Sequence, residues 1–194
     1  MATDSNTGLL SGDRRGLTIG LVLAVTLVAF EALAVATVLP AAEKDLGDIY
    51  LYGWAFSAFL LMSLIGITWA GEQSDRHGPA RPFIAGLTLF AIGLTIAGTA
   101  PSMWILVLGR AVQGLGAGVI PAVAYVCIGR GYTDSQRARM LAILSTAWVI
   151  PSLAGPGIAG VVADYLNWRV VFLGLLPLLL VVAPLTVSAL RRLG

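Results

Sequence analysis

Five stretches of this chain are apolar enough to cross a bilayer outright, and a sixth joins them once one acidic residue inside it is tolerated. That feature leaves few folds open. In hydrocarbon the backbone must satisfy its own N–H and C=O groups, through helices or a closed barrel, and barrel strands are only about 9–11 residues long. The stretches fall at about residues 17–40, 54–70, 83–100, 103–128, 140–163 and 170–190. As helices, such lengths suit a hydrocarbon core of about 30 Å with some tilt. Composition agrees: 58% of the 194 residues are hydrophobic and 11% charged, whereas a soluble domain carries about 25% charged residues. The expected fold is an all-α membrane protein of six transmembrane helices, with neighbours antiparallel because the connections are short.

Loop charges set the orientation. Arg14, Arg15, Arg76, Arg81, Arg130, Arg137, Arg139, Arg191 and Arg192 collect on one side, and only Lys44 and Arg169 on the other. The excess of positive charge marks the cytoplasmic side, so both termini are expected there. Residues 1–16 are polar and lack a small-residue cleavage site, which reads as a cytoplasmic tail rather than a signal peptide. The bundle then occupies 17–194 of a multi-pass protein whose first partner is the lipid bilayer. A basic groove with interleaved aromatics is absent, so nucleic acid is not an expected partner. The single cysteine, Cys127, allows no internal disulfide and no metal cluster.

A short pattern suggests internal symmetry. Gly71-x-x-x-Asp75-x-x-Gly78 recurs as Gly160-x-x-x-Asp164-x-x-Asn167 at a constant offset of 89, with Asn167 standing for a glycine at positive φ. One copy falls in a cytoplasmic loop and the other outside. Two three-helix units, about 17–100 and 103–190, are therefore expected as inverted repeats, a construction common among transporters.

Two ionisable residues lie well inside the spans, Glu31 and Arg110. Glu31 precedes the outer end of its helix at Pro40 by nine residues, about 13 Å of depth. Arg110 follows the outer start of its helix near Met103 by seven residues, about 10 Å. Similar depth from the same face is what pairing requires. Desolvation favours the neutral acid and a nearby arginine the carboxylate, so this pair reads as a proton site whose occupancy follows its geometry. A purely structural ion pair is the plainer alternative, weighed against the rarity and cost of charge at that depth.

Small residues surround the arginine. Gln113 is followed by Gly114, Gly116 and Gly118, and the Gly114–Gly118 spacing lets a neighbouring helix approach closely. In the fifth span Pro151 and Pro156 stand among Gly155, Gly157 and Gly160, a combination that predicts a bent, closely packed helix. The loop GEQSDRHGPARP is the densest charged stretch. Its Asp75, Arg76 and Arg81 are placed to clamp a neighbouring helix end, and His77 is expected to be exposed.

These motifs resemble the major facilitator superfamily, specifically the N-terminal half of a drug:proton antiporter. Gly71-Glu-Gln-Ser-Asp75-Arg76-His-Gly78 is similar to the family's loop signature G-x-L-x-D-R-x-G-R-[KR]. Gln73 replaces the leucine and Pro79-Ala80 the basic pair, with Arg81 one step later. Leu106-x-x-x-Arg110-x-x-Gln113-Gly114-x-Gly116-Ala117-Gly118 resembles the fourth-helix motif at every characteristic position, and the resemblance links its arginine to proton coupling. Gly155-Pro156-Gly157-Ile158-Ala159-Gly160 looks like the antiporter motif G-x-x-x-G-P-x-x-G-G, with Pro151 and Ala159 where glycines are usual. Phe30-Glu31 through Leu39-Pro40 is similar to the exporter pattern of an acid before A-L-P, with glutamate replacing aspartate. Asn167-Trp168-Arg169-x-x-Phe172 fits the start of the sixth helix.

The resemblance implies a proton-coupled secondary transporter of the cell membrane, a bacterial plasma membrane, exporting small lipophilic compounds by alternating access. It implies no cofactor beyond the proton gradient. Family members have twelve or fourteen helices, so the expected partners include a missing C-terminal half or a second copy, with Arg191-Arg192 opening the central linker. A metabolite or sugar permease of the same superfamily and a non-transporting scaffold are the alternatives. An intramembrane serine protease needs a histidine within the spans, and the single histidine, His77, lies in a loop.

Overall fold

The computed structural model describes residues 14–191, and within them every regular element is helical. α1 spans Arg14–Leu46, α2 Tyr52–His77, α3 Ala80–Gly98, α4 Met103–Gly131 and α5 Asp134–Tyr165. The sixth crossing is divided into α6, Trp168–Leu173, and α7, Leu175–Arg191. Six helical stretches of 19 to 32 residues are long and apolar enough to cross a membrane. Residues 1–13 of the expected tail, and Arg192 of the expected linker, lie outside the described residues.

The helices outrun the apolar stretches that announce them. α1 continues through Pro40 to Leu46. A proline removes one donor; Pro40 and Ala36, whose carbonyl loses it, are both exposed. The expected loop at 71–82 is mostly helix: Gly71, Asp75 and Arg76 belong to the last turns of α2, and Arg81 to the first turn of α3. An i,i+4 pair, Glu72 to Arg76 at 2.7 Å, supports those turns in a polar setting. The stop is Gly78, with φ of 76°, in the left-handed region that favours glycine. α5 begins at Asp134 on a capping box of Thr133 and Gln136, and runs unbroken through Pro151 and Pro156.

Asn167 corrects the proposed match to Gly78. Its φ is −170°, ordinary extended backbone, and its side chain accepts the Arg169 N–H to cap α6. Helix adjacency has a two-fold pattern of its own. α1 and α4 form a middle layer; α2 packs on α4 and α5 on α1, on one side. On the other side α3 packs on α4 and the α6–α7 crossing on α1, and these two outer elements touch. Exchanging helices one, two and three for four, five and six leaves that adjacency unchanged.

At one end of the bundle Arg169 ties three elements together. It donates to Asp45 at 2.6 Å and to the Ala100 carbonyl at 3.1 Å, and stacks 4.4 Å from the Trp168 ring centroid. The Trp168 indole N–H also donates to Asp45, at 3.2 Å.

Candidate functional site

The middle layer brings Glu31 of α1 and Arg110 of α4 into contact. Arg110 Nη1 donates to Glu31 Oε1 and to Gln113 Oε1 at 2.8 Å, one turn further along α4. Its Nε makes a long bond to the Ala55 carbonyl of α2 at 3.4 Å. The guanidinium also lies 4.1 Å from the centroid of the Phe59 ring, where a cation is attracted to the aromatic face. Glu31 and Gln113 are 0% exposed and Arg110 1%. This is a buried charge pair with a polar and an aromatic shell. Glu31 Oε2 and Gln113 Nε2 have no hydrogen-bond partner, so one carboxylate oxygen is uncommitted.

Close packing of α4 keeps lipid away from this charge. A Cβ on Gly114 would run into the Phe59 carbonyl and one on Gly118 into the Ser63 carbonyl, both on α2. One on Gly116 would strike the Phe90 and Gly86 backbone, and one on Gly109 the Ala97 backbone, both on α3. The alternate glycines thus serve two faces, 114 and 118 toward α2 and 116 toward α3. α3 reciprocates with Gly93 against the Gln113 backbone, and α2 with Gly66 against the Leu115 carbonyl. Gly118→Ala should cost about 1–3 kcal/mol through overpacking, whereas Gly157→Ala, which meets open space, should cost almost nothing. Thermal midpoints of the two purified variants check this, and equal midpoints would contradict it.

The glycines of α5 behave differently. A Cβ on Gly155 would sit 3.6 Å from the Phe30 ring and one on Gly160 3.7 Å from the Thr37 methyl, ordinary contacts. The expectation of a closely packed fifth helix is therefore corrected: interpenetration belongs to α4 and, at Gly20 against Thr186, to the α1–α7 contact. Gly155 and Pro151 are nevertheless buried, and Gly155 lies against the residue preceding Glu31.

The charged motif at the α2–α3 junction is a separate site. Asp75 is 20 residues beyond Ala55 on α2, about 30 Å along the axis. Asp75 accepts from Arg130 Nη2 at 2.6 Å, and Arg130 Nη1 donates to the Ser74 carbonyl at 3.1 Å. Asp75 thus clamps the end of α4, through an arginine outside the expected set. Arg76 pairs within its own helix, and Arg81 has no ion-pair partner among the described residues. Gly71 meets open space, and His77 is exposed.

Of the expected residues, the structure gathers Glu31, Arg110, Gln113 and Gly114 at one point and leaves the others apart. It adds Phe59 and the Ala55 carbonyl. Neither announces itself, since a phenylalanine and an alanine in an apolar helix carry no polar signal.

The sequence profile described as Major Facilitator Superfamily matches residues 19–193. The chain is 32% identical over 153 residues to multidrug transporter protein MdtP of Bacillus subtilis (strain 168), covering 79% of this chain and 28% of that protein. It is 29% identical over 154 residues to multidrug resistance protein 3 of the same organism, covering 79% of this chain and 30% of the relative. The fold resembles the crystal structure of a D-xylose–proton symporter with a TM-score of 0.78 at 15% identity, covering 90% of this chain and 48% of the symporter. The aligned region is thus less than a third of these relatives and about half of the symporter.

Proposed function

The chain belongs to the major facilitator superfamily, and from that premise we propose that it is the proton-coupled half of a secondary transporter exporting small lipophilic compounds. The observation that carries this reading is the buried Glu31–Arg110 pair with its uncommitted Oε2. A proton adds to Oε2 and leaves Oε1 in place as a neutral acceptor for Arg110. The guanidinium then keeps Gln113, the Ala55 carbonyl and the Phe59 ring, so protonation does not strand a bare buried charge. What it removes is the Coulomb attraction between α1 and α4, which is large at low dielectric. Two states of that seam, loaded and unloaded, are the switch alternating access requires.

A complementary half, whether a C-terminal continuation or a second copy, completes the path. Among the described helices, α2 and α5 are the least covered, exposing Leu60, Leu61 and Leu64 on one and Val149, Ile150 and Leu153 on the other. The chemistry of these two helices favours lipophilic cargo over sugar. Thr68, Ser145, Thr146 and Ser152 return their hydroxyl protons to carbonyls of their own helices. Fewer donors are then left to read a polyol. The multidrug designation of the two Bacillus subtilis relatives supports the same direction.

The test is transport by the full-length protein in proteoliposomes with an imposed pH gradient and a lipophilic cationic dye as cargo. Dye movement should stop when a protonophore collapses the gradient. Movement that continues unchanged would overturn proton coupling.

A further inference from the structure

Among the described residues, Arg81 is a cation without a counter-charge at an end of the bundle where the acids are already taken. Glu72 pairs with Arg76, Asp75 with Arg130 and Asp134 with Arg137, and these are the acids at that end among the described residues. Two clefts flank Arg81. One, of about 360 Å³, lies between the start of α3 and the end of α7, where Gly78, Ile84 and Leu190 form its walls. The other, of about 270 Å³, lies between α2 and α3 and is lined by Trp69, Gln73, Pro82 and Ala85. His77 and Arg81 line both. Ile84 and Ala85 stand about one turn deeper than Arg81 along α3, and Trp69 about two turns from His77 along α2. Each cleft is therefore polar at its mouth and apolar beneath. The sequence also places Arg191 and Arg192 directly after Leu190.

A cation at the mouth, apolar walls below and a tryptophan beside them match a phospholipid: phosphate outermost, acyl chain within. Basic pockets between transmembrane helices favour anionic headgroups, and tryptophan prefers the same interfacial level. Both clefts open at the bundle surface beside α3, so bilayer lipid is the occupant at hand. We propose that Arg81 and His77 form the headgroup seat of an anionic phospholipid, with its phosphate against Arg81 and its acyl chains along the two clefts.

Native mass spectrometry of the full-length protein in neutral detergent, with equal dioleoylphosphatidylglycerol and dioleoylphosphatidylcholine, tests the proposal. Phosphatidylglycerol should be retained preferentially. Arg81→Gln should reduce that preference about fivefold, the equivalent of one surface arginine. Arg81→Lys should preserve most of it, and Arg139→Gln, an exposed arginine at the same end away from the clefts, should leave it unchanged. No preference in the parent protein, or equal loss in the Arg139 variant, would overturn the seat. Displacement of the lipid by millimolar inorganic phosphate would overturn it in favour of a soluble anion.

Discussion

On the proposed function, Glu31→Gln made in the complete transporter should abolish proton-driven efflux while the protein still inserts and folds. The amide has the shape of the protonated acid, and its oxygen still accepts from Arg110 Nη1, the bond that Glu31 Oε1 now makes. What it cannot do is release a proton. The seam between α1 and α4 is then held in its loaded state, and export coupled to the gradient falls to the background of empty liposomes. Exchange of substrate without net proton movement should survive, because that step needs no change at residue 31. Efflux that still dissipates a pH gradient, measured with a trapped pH dye, would remove Glu31 from the mechanism.

Arg110→Ala produces the second large effect, by a different route. It leaves the Glu31 carboxylate buried with no cation, and breaking one partner out of a buried pair costs about 3–5 kcal/mol. It also empties the space against Phe59 that the guanidinium occupies. That is a large part of the stability of an ordinary domain, so yield should fall sharply and surviving protein should not couple. Arg110→Lys restores the charge without the planar fork that reaches Glu31, Gln113 and Ala55 together, and should recover folding more than coupling. Detergent-solubilised yield and coupled efflux, measured on both variants, separate the two contributions. Near-normal transport by the alanine variant would mark the arginine as incidental.

Depth arithmetic found the Glu31–Arg110 contact because an ionisable residue in an apolar span is conspicuous, and helices convert residue number into depth without knowledge of packing. Hydropathy found the six crossings for the same reason. It misplaced their ends because apolar character stops at the hydrocarbon boundary, whereas hydrogen bonding does not. The last turns of α2 continue on a Glu72–Arg76 pair. The start of α5 is legible in Thr133 and Gln136, three residues apart, as in the capping box the structure contains, although that pattern precedes the apolar run. Spacing of Gly114 and Gly118 disclosed one packing face. The second, with Gly116 against α3, needs Gly86 and Gly93 from another helix, and no single-helix pattern reveals it. Arg130 is illegible for a similar reason, since its bond to Asp75 joins helix ends 55 residues apart.

The two-faced glycine packing of α4 has a mechanical consequence. Where backbones interlock, as α4 does with α2 and α3, sliding one helix past another forces carbonyls through Cα atoms, and the trio behaves as a stiff block. The α1–α5 seam has side chains at ordinary van der Waals separation around Gly155 and Gly160, so α5 can shear along α1 at little cost. Deformation of this bundle therefore concentrates on one flank. Glu31 stands between the rigid block and the compliant flank, and Phe30, which meets Gly155, is its link to α5.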